Sequence, residues 1–117
     1  MLFFLFASNV EAKTIGAFSN FRITYFGQKT GYLKKQNKSY YVLNLKPCED
    51  LAPMRVKHVL LNSNGSERSG QSTLRCGQRA TYSNWASPGY IYSLKMAREN
   101  WWDGSAAITG SWSPDSY

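Results

Sequence analysis

Short runs in which apolar and polar residues alternate constrain the fold of this chain most. Residues 39–45, for example, place Tyr41, Leu43 and Leu45 on one face of an extended strand. No long stretch carries apolar residues at the helical period of 3.6. Alternation of period two, bounded by Gly, Asn, Ser or Pro, is typical of antiparallel strands with one buried face. The runs are residues 17–26, 39–45, 54–61, 72–83, 89–100 and 105–112.

About six short strands in a chain of 117 residues indicate one all-β domain. The pattern fits an antiparallel sandwich or a small barrel. We predict a small antiparallel β-sandwich of about six hairpin-connected strands.

The segments between the runs predict particular turns. Residues 62–71 are rich in turn formers and predict a hairpin loop. Gly77 predicts a bend or bulge within residues 72–83. Because Asp-Gly is favoured in tight hairpin turns, Asp103-Gly104 predicts that residues 90–98 and 105–112 pair as a hairpin.

The first twelve residues are typical of the end of a secretory signal peptide. They are apolar up to Phe6 and then small and polar, and Val10 and Ala12 occupy the −3 and −1 positions of a cleavage pattern. The alternative is a buried first strand. The apolar run is far shorter than the roughly 20 residues of a membrane-spanning helix, and no other segment is apolar enough to span. We predict that residues 1–12 are a signal-peptide remnant and that 13–117 form a single secreted β domain.

The chain has two cysteines, Cys48 and Cys76. An oxidising compartment outside the cell favours their pairing, so we predict a Cys48–Cys76 disulfide. Two cysteines and one histidine do not reach the four ligands of a usual zinc site, so no metal is expected.

Nothing in the sequence indicates catalysis. The single histidine, His58, has no acidic residue within seven positions on either side and is interpreted as an ordinary strand residue. Gly-rich phosphate loops and metal-ligand clusters are absent from the sequence. We predict a protein that is not an enzyme and needs no cofactor.

Positive charge is concentrated in the first part of the chain. The formal net charge is +7, and residues 13–46 contain seven basic residues and no acidic one. Interleaved tyrosines make this block suitable for an anionic partner, such as a membrane surface or a cell-wall precursor. Nucleic acid would use the same electrostatics, but export argues against it. Alternatively, residues 28–39 are a solvated loop whose lysines only maintain solubility. The candidate contacts in this block are Lys29, Tyr32, Lys34, Lys35 and Lys38.

Two adjacent tryptophans, Trp101 and Trp102, complete the candidate contact set. Neighbouring side chains in a strand point to opposite faces, so one of the two is expected to pack and the other to be an exposed anchor. Both could instead cover the edge of the core. Trp85 and Trp112 are interpreted as core or hairpin packing.

The last third of the chain, "TYSNWASPGYIYSLKMARENWWDGSAAITGSWSPD", resembles small secreted proteins of Gram-positive bacteria that are known only as a domain of unknown function. It is also loosely similar to the lactococcin-type bacteriocins, which are exported as small all-β sandwiches and act on the cell-wall precursor lipid II. The chain differs from those bacteriocins in length, in its expected disulfide and in its basic first half. The matching residues are Tyr82, Gly89, Leu94, Ala97, Glu99, Asn100, Gly110, Trp112 and Asp115.

Two hypotheses follow. In the first, the protein is bacteriocin-like and binds anionic cell-envelope components through its basic half and an exposed tryptophan. In the second, it is a non-toxic secreted accessory or structural protein whose charge serves solubility.

Overall fold

The computed structural model describes residues 14–48, 55–100, 102 and 104–117, which form nine strands. The predicted signal segment, residues 1–12, lies outside the described residues. In chain order the strands are β1 (Gly16–Ile23), β2 (Gln28–Lys29), β3 (Leu33–Lys34), β4 (Tyr41–Leu45), β5 (Arg55–Asn62), β6 (Ser72–Arg75), β7 (Arg79–Tyr82), β8 (Ile91–Arg98) and β9 (Ala106–Ser113).

The strands form two antiparallel sheets. The first sheet has the order β1-β9-β4-β7. The second has the order β2-β8-β5-β6, and β3 pairs with β8 beside β2. The predicted all-β sandwich is therefore confirmed. There are more strands than expected because residues 28–39 and 72–83 each contribute two.

The core lies between the sheets and uses the apolar faces that the alternation predicted. Tyr41, Leu43 and Trp112 of the first sheet are at most 2% exposed. Leu60 and Leu94 of the second sheet are fully buried. Burying one such side chain stabilises the fold by about 1.5–3 kcal/mol, so this layer dominates the packing energy. The interpretation of Trp112 as a core residue is confirmed.

The predicted hairpin of residues 90–98 with 105–112 is wrong, because β8 and β9 belong to different sheets. β8 pairs with β5 on one side and with β2 and β3 on the other. β9 lies between β1 and β4. Seven residues separate Arg98 from Ala106 in the sequence, which is enough chain to cross the roughly 10 Å between packed sheets.

Residues 62–71 and 72–83 connect their neighbours in different ways. The predicted hairpin loop is confirmed, since β5 and β6 on either side of residues 63–71 pair antiparallel. The predicted bend at Gly77 is instead a crossover, with β6 in the second sheet and β7 in the first. Gly77 has a φ of 87°, a conformation that glycine adopts without strain, and this residue turns the chain between the sheets.

The predicted Cys48–Cys76 disulfide is confirmed and lies at this crossover. The two Cα atoms are 5.5 Å apart. Cys48 follows β4 of the first sheet, and Cys76 follows β6 of the second. The bond therefore ties the two sheets together at one corner.

β1, the long edge strand of the first sheet, contains a bulge. Its register with β9 shifts between Phe18 and Phe21. Within the bulge Asn20 has a φ of 50°, which Asn tolerates better than most residues. The backbone N–H of Asn20 donates to Oγ1 of Thr109 at 3.2 Å. A bulge of this kind bends a strand and increases its local twist.

We expect loss of the disulfide to lower the free energy of unfolding by roughly 3–4 kcal/mol, because the closed loop restricts the unfolded chain. The measurement is denaturant unfolding of the wild type and of the Cys48→Ala/Cys76→Ala variant. As a control, a reductant should shift the wild-type midpoint and leave the variant unchanged. Equal unfolding free energies of the wild type and the variant without reductant would contradict the prediction.

Candidate functional site

The candidate functional site is the outer face of the second sheet, which points away from the core. On β5, Val56 and Leu60 point into the core and are fully buried. Because side chains alternate along a strand, Arg55 and Lys57 lie on the opposite, outer face. Lys95 is the cross-strand partner of a residue of β5, Val59, on that same face.

Strand register brings cations from separate parts of the chain onto this face. Lys29 of β2 lies directly opposite Lys95 of β8. Arg55 of β5 lies opposite Arg75 of β6. We call this surface the basic face, and its cations are Lys29, Lys34, Arg55, Lys57, Arg75 and Lys95.

Among the described residues, acidic side chains neutralise little of this charge. The described part of the chain contains three acidic residues, Glu67, Glu99 and Asp115. Glu99 forms an ion pair of 3.8 Å with Arg55, in which both side chains are substantially exposed. Exposed pairs of this kind contribute at most about 1 kcal/mol. Asp115 is buried, and Glu67 lies in the β5–β6 loop.

Two surface depressions are lined in part by cations of the basic face. A pocket of about 80 Å³ has Lys57, Gln71 and Lys95 in its lining. An open hollow of about 210 Å³ is lined by residues that include Arg55 and Arg75. Both are smaller than the 300–1,000 Å³ pockets that usually enclose small molecules. The face therefore suits an extended anionic partner better than an enclosed ligand.

The candidate contacts of the first part of the chain are only partly brought together. Lys29 and Lys34 lie on the basic face in β2 and β3. Tyr32 directly precedes β3 and is 43% exposed. Lys38 is exposed, but it lies in the connection from β3 to β4, outside the sheet.

Lys35 is wrong as a surface contact, because its side chain is fully buried. Its ammonium group lies 3.1 Å from Oδ1 of Asp115. It also donates to the carbonyl oxygens of Ser39, at 2.7 Å, and of Pro114. A charged group is stable in the interior only with such partners, and the alternation that points Lys34 outward points Lys35 inward.

Asp115 receives further hydrogen bonds that fix the same region. The backbone N–H of Gln36 donates to its Oδ2 at 2.7 Å, and that of Asn37 to its Oδ1 at 3.3 Å. The hydroxyl of Ser39 also donates to Oδ1, at 3.4 Å. The carboxylate therefore joins the β3–β4 connection to the residues that follow β9.

The tryptophans differ in their positions. Trp102 is 66% exposed, as expected for one of the adjacent pair, and Trp101 lies outside the described residues. The interpretation of Trp85 as core or hairpin packing is wrong, since its side chain is 63% exposed. It follows β7 in the chain segment that leads to β8, and the next residue, Ala86, is the one that packs in the core.

His58 belongs to a buried aromatic cluster. Its Nδ1 shares a hydrogen bond of 2.8 Å with the hydroxyl of Tyr41, and its ring lies 4.4 Å from that of Tyr82. Burial lowers the pKa of His58 to about 4, because desolvation penalises the imidazolium. The same desolvation raises the pKa of both tyrosines. This histidine is therefore neutral at physiological pH.

Four cations of the basic face were missed from the sequence: Arg55, Lys57, Arg75 and Lys95. A signal was present for Lys57, which alternates with apolar residues that proved to be core. No sequence signal shows, however, that β2 and β3 flank β8, and only this neighbourhood joins Lys29 to Lys95.

Comparison of the chain with protein-family models, with curated proteins and with solved structures gives no match. In the described residues no helix is long and apolar enough to cross a membrane. These residues also contain no group of three or more His, Cys, Asp or Glu placed to hold a metal ion.

We expect Lys35→Gln to lower the free energy of unfolding by about 3–5 kcal/mol, because it leaves the buried Asp115 carboxylate without its cation. Lys34→Gln is the matched control and should change it by no more than about 0.5 kcal/mol, since Lys34 is exposed. Urea unfolding of both variants makes the comparison. Equal effects of the two substitutions would show that burial of Lys35 is not important for stability.

Stability should rise with pH between about 4 and about 6.5. In this interval the unfolded chain protonates His58 and the folded chain, with its lowered pKa, does not. The shift corresponds to about 3 kcal/mol. The measurement is the free energy of unfolding of the wild type and of His58→Gln across this pH range. A variant with the same pH dependence as the wild type would assign the effect to other groups.

Proposed function

We propose that the protein is an exported, cationic β-sandwich protein that binds anionic components of the Gram-positive cell envelope through the basic face. It acts by binding and not by catalysis. The observation that carries this proposal is that six cations occupy one face of one sheet, with two pairs of like charges directly opposite each other.

Like charges on opposed strand positions destabilise a sheet. Lys29 and Lys95 form one such pair, and Arg55 and Arg75 form the other. Neighbouring strands are about 4.8 Å apart, so two cationic groups of a pair can contact the same phosphate. A bound anion removes the repulsion and adds charge-assisted hydrogen bonds. The repulsion lowers the stability of the free protein, and its removal by a bound anion contributes to the free energy of binding.

The disulfide supports an extracellular location. Cystine bonds persist in oxidising compartments and are rare in the cytosol. The sequence of residues 1–12, with its cleavage pattern, supports export through a signal peptide. The resemblance of the last third to secreted Gram-positive proteins, and loosely to lactococcin-type bacteriocins, suggests the envelope as the target. A cell-wall precursor and an anionic membrane surface both carry suitable phosphates.

We expect Lys29→Gln/Lys34→Gln to weaken binding to anionic vesicles or purified cell walls by about 2 kcal/mol, at about 1 kcal/mol for each lysine near an anionic surface. Binding of the wild type should also fall steeply with salt. The measurement is co-sedimentation at 50 and 300 mM salt. The matched control is Lys38→Gln/Lys46→Gln, which removes the same charge from exposed lysines outside the face.

If both double variants bind equally, net charge and not the basic face is responsible. If neither the wild type nor the variants bind, the protein is the non-toxic accessory protein of the second hypothesis. Spotting the purified protein on lawns of related Gram-positive bacteria separates the remaining possibilities. Clearing that the face variant loses and the control keeps would support the bacteriocin-like activity.

A further inference from the structure

The turn between β1 and β2, residues 24–27, is held against the margin of the basic face. The backbone N–H of Gly27 donates to the carbonyl of Thr24 at 3.2 Å, and Gly27 has a φ of 90°. The backbone N–H of Arg98, at the end of β8, also donates to the Thr24 carbonyl, at 2.9 Å. These bonds fix the turn to the second sheet, so its side chains have a defined position relative to the cations.

Phe26 is the most exposed large apolar side chain in the described residues, with 82% of its surface accessible. A phenyl ring has no polar atom that could hydrogen-bond with water, and a ring left exposed in the folded chain contributes little apolar burial to folding. Tyr25 packs edge-on against it, with the ring centroids 5.6 Å apart. The ammonium group of Lys57 in turn lies 4.8 Å from the centre of the Tyr25 ring. Tyr25 therefore packs against one side of the Phe26 ring, while most of the surface of that ring remains accessible to solvent.

Two lysines lie beside this aromatic pair. Lys57 and Lys95 line the same small pocket as Tyr25 and Phe26. Lys29 lies opposite Lys95 and extends the charge along the edge of the sheet. An apolar tip flanked by lysines is the arrangement by which proteins attach to the interface of a bilayer with anionic lipids.

The geometry points to a membrane-docking turn. Phe26 enters the boundary between headgroups and acyl chains of an anionic bilayer, and Lys29, Lys57 and Lys95 contact the lipid phosphates. The inference rests on the proposed function and makes it more specific. A wall polymer would satisfy the cations equally well, but it has no apolar layer for Phe26. The exposed phenyl ring therefore selects the bilayer as the partner.

The experiment measures binding of the full, oxidised chain to vesicles of phosphatidylglycerol and phosphatidylcholine by co-sedimentation. We expect Phe26→Ala to weaken binding to phosphatidylglycerol vesicles about tenfold, with an unchanged salt dependence, because it removes apolar burial and no charge. Phe26→Trp should retain binding, since indole is also favoured at the interface. Melting curves are expected to coincide with that of the wild type, because the side chain is exposed.

The matched control is another exposed aromatic residue, Tyr40→Ala, which directly precedes β4 of the first sheet and should bind vesicles as the wild type does. Trp102→Ala tests the competing anchor that the sequence suggested. If Trp102→Ala loses binding and Phe26→Ala does not, the anchor lies in the β8–β9 connection and the inference is wrong.

The charge variants of the basic face keep this test separate from that of the proposed function. If Lys29→Gln/Lys34→Gln loses binding while Phe26→Ala binds normally, the basic face binds anions and the membrane-docking turn is disproved. If purified walls are bound and phosphatidylglycerol vesicles are not, the partner is a wall polymer, and the inference fails while the proposed function stands.

Discussion

The ion pair of Lys35 with Asp115 joins the two sheets at one end of the sandwich. Lys35 directly follows β3 of the second sheet, and Asp115 follows β9 of the first. Because both side chains are fully buried, each charge depends on the other and on the backbone groups around them. The backbone of Lys35 also exchanges hydrogen bonds with the Gly89–Tyr90 segment, which fixes the start of β8. The ion pair and these backbone bonds together hold the end of β3 against the start of β8.

This constraint also shapes the surface. With Lys35 held inward, the alternation of the extended chain requires Lys34 to point outward, next to Ile91 on β8. The edge strands β2 and β3 contain only two residues each, so pairing alone would hold them weakly. The buried pair at one end and the Thr24 hydrogen bonds at the other compensate for their shortness. The cations of the basic face therefore have defined positions although the strands that carry them are small.

The fold class was predictable because alternation depends only on neighbouring residues. The faces of β4, β5 and β8 could be assigned from the sequence in this way. The order of the strands could not, since Asp103-Gly104 fits a tight hairpin turn as well as part of a longer crossover, and Gly77 fits a bulge as well as a turn between sheets. Lys35 was assigned to the surface because its partner is 80 positions away in the chain. Only part of the candidate site could be predicted, for the same reason. Lys29 and Lys34 were identified from the sequence, but the pairing that brings them beside the cations of β5, β6 and β8 joins distant parts of the chain.

The bulge of β1 has a consequence for the proposed binding to an envelope surface. Binding of that kind would raise the local concentration, and an unpaired strand edge can then add strands from neighbouring molecules. The other edge strands, β2, β3, β6 and β7, have at most four residues, so β1 is the longest edge in the described residues. Its shift between Phe18 and Phe21 and the left-handed Asn20 interrupt the straight row of donors and acceptors that such growth requires. The irregular edge thereby disfavours the growth of β-sheet fibrils from neighbouring copies of the chain.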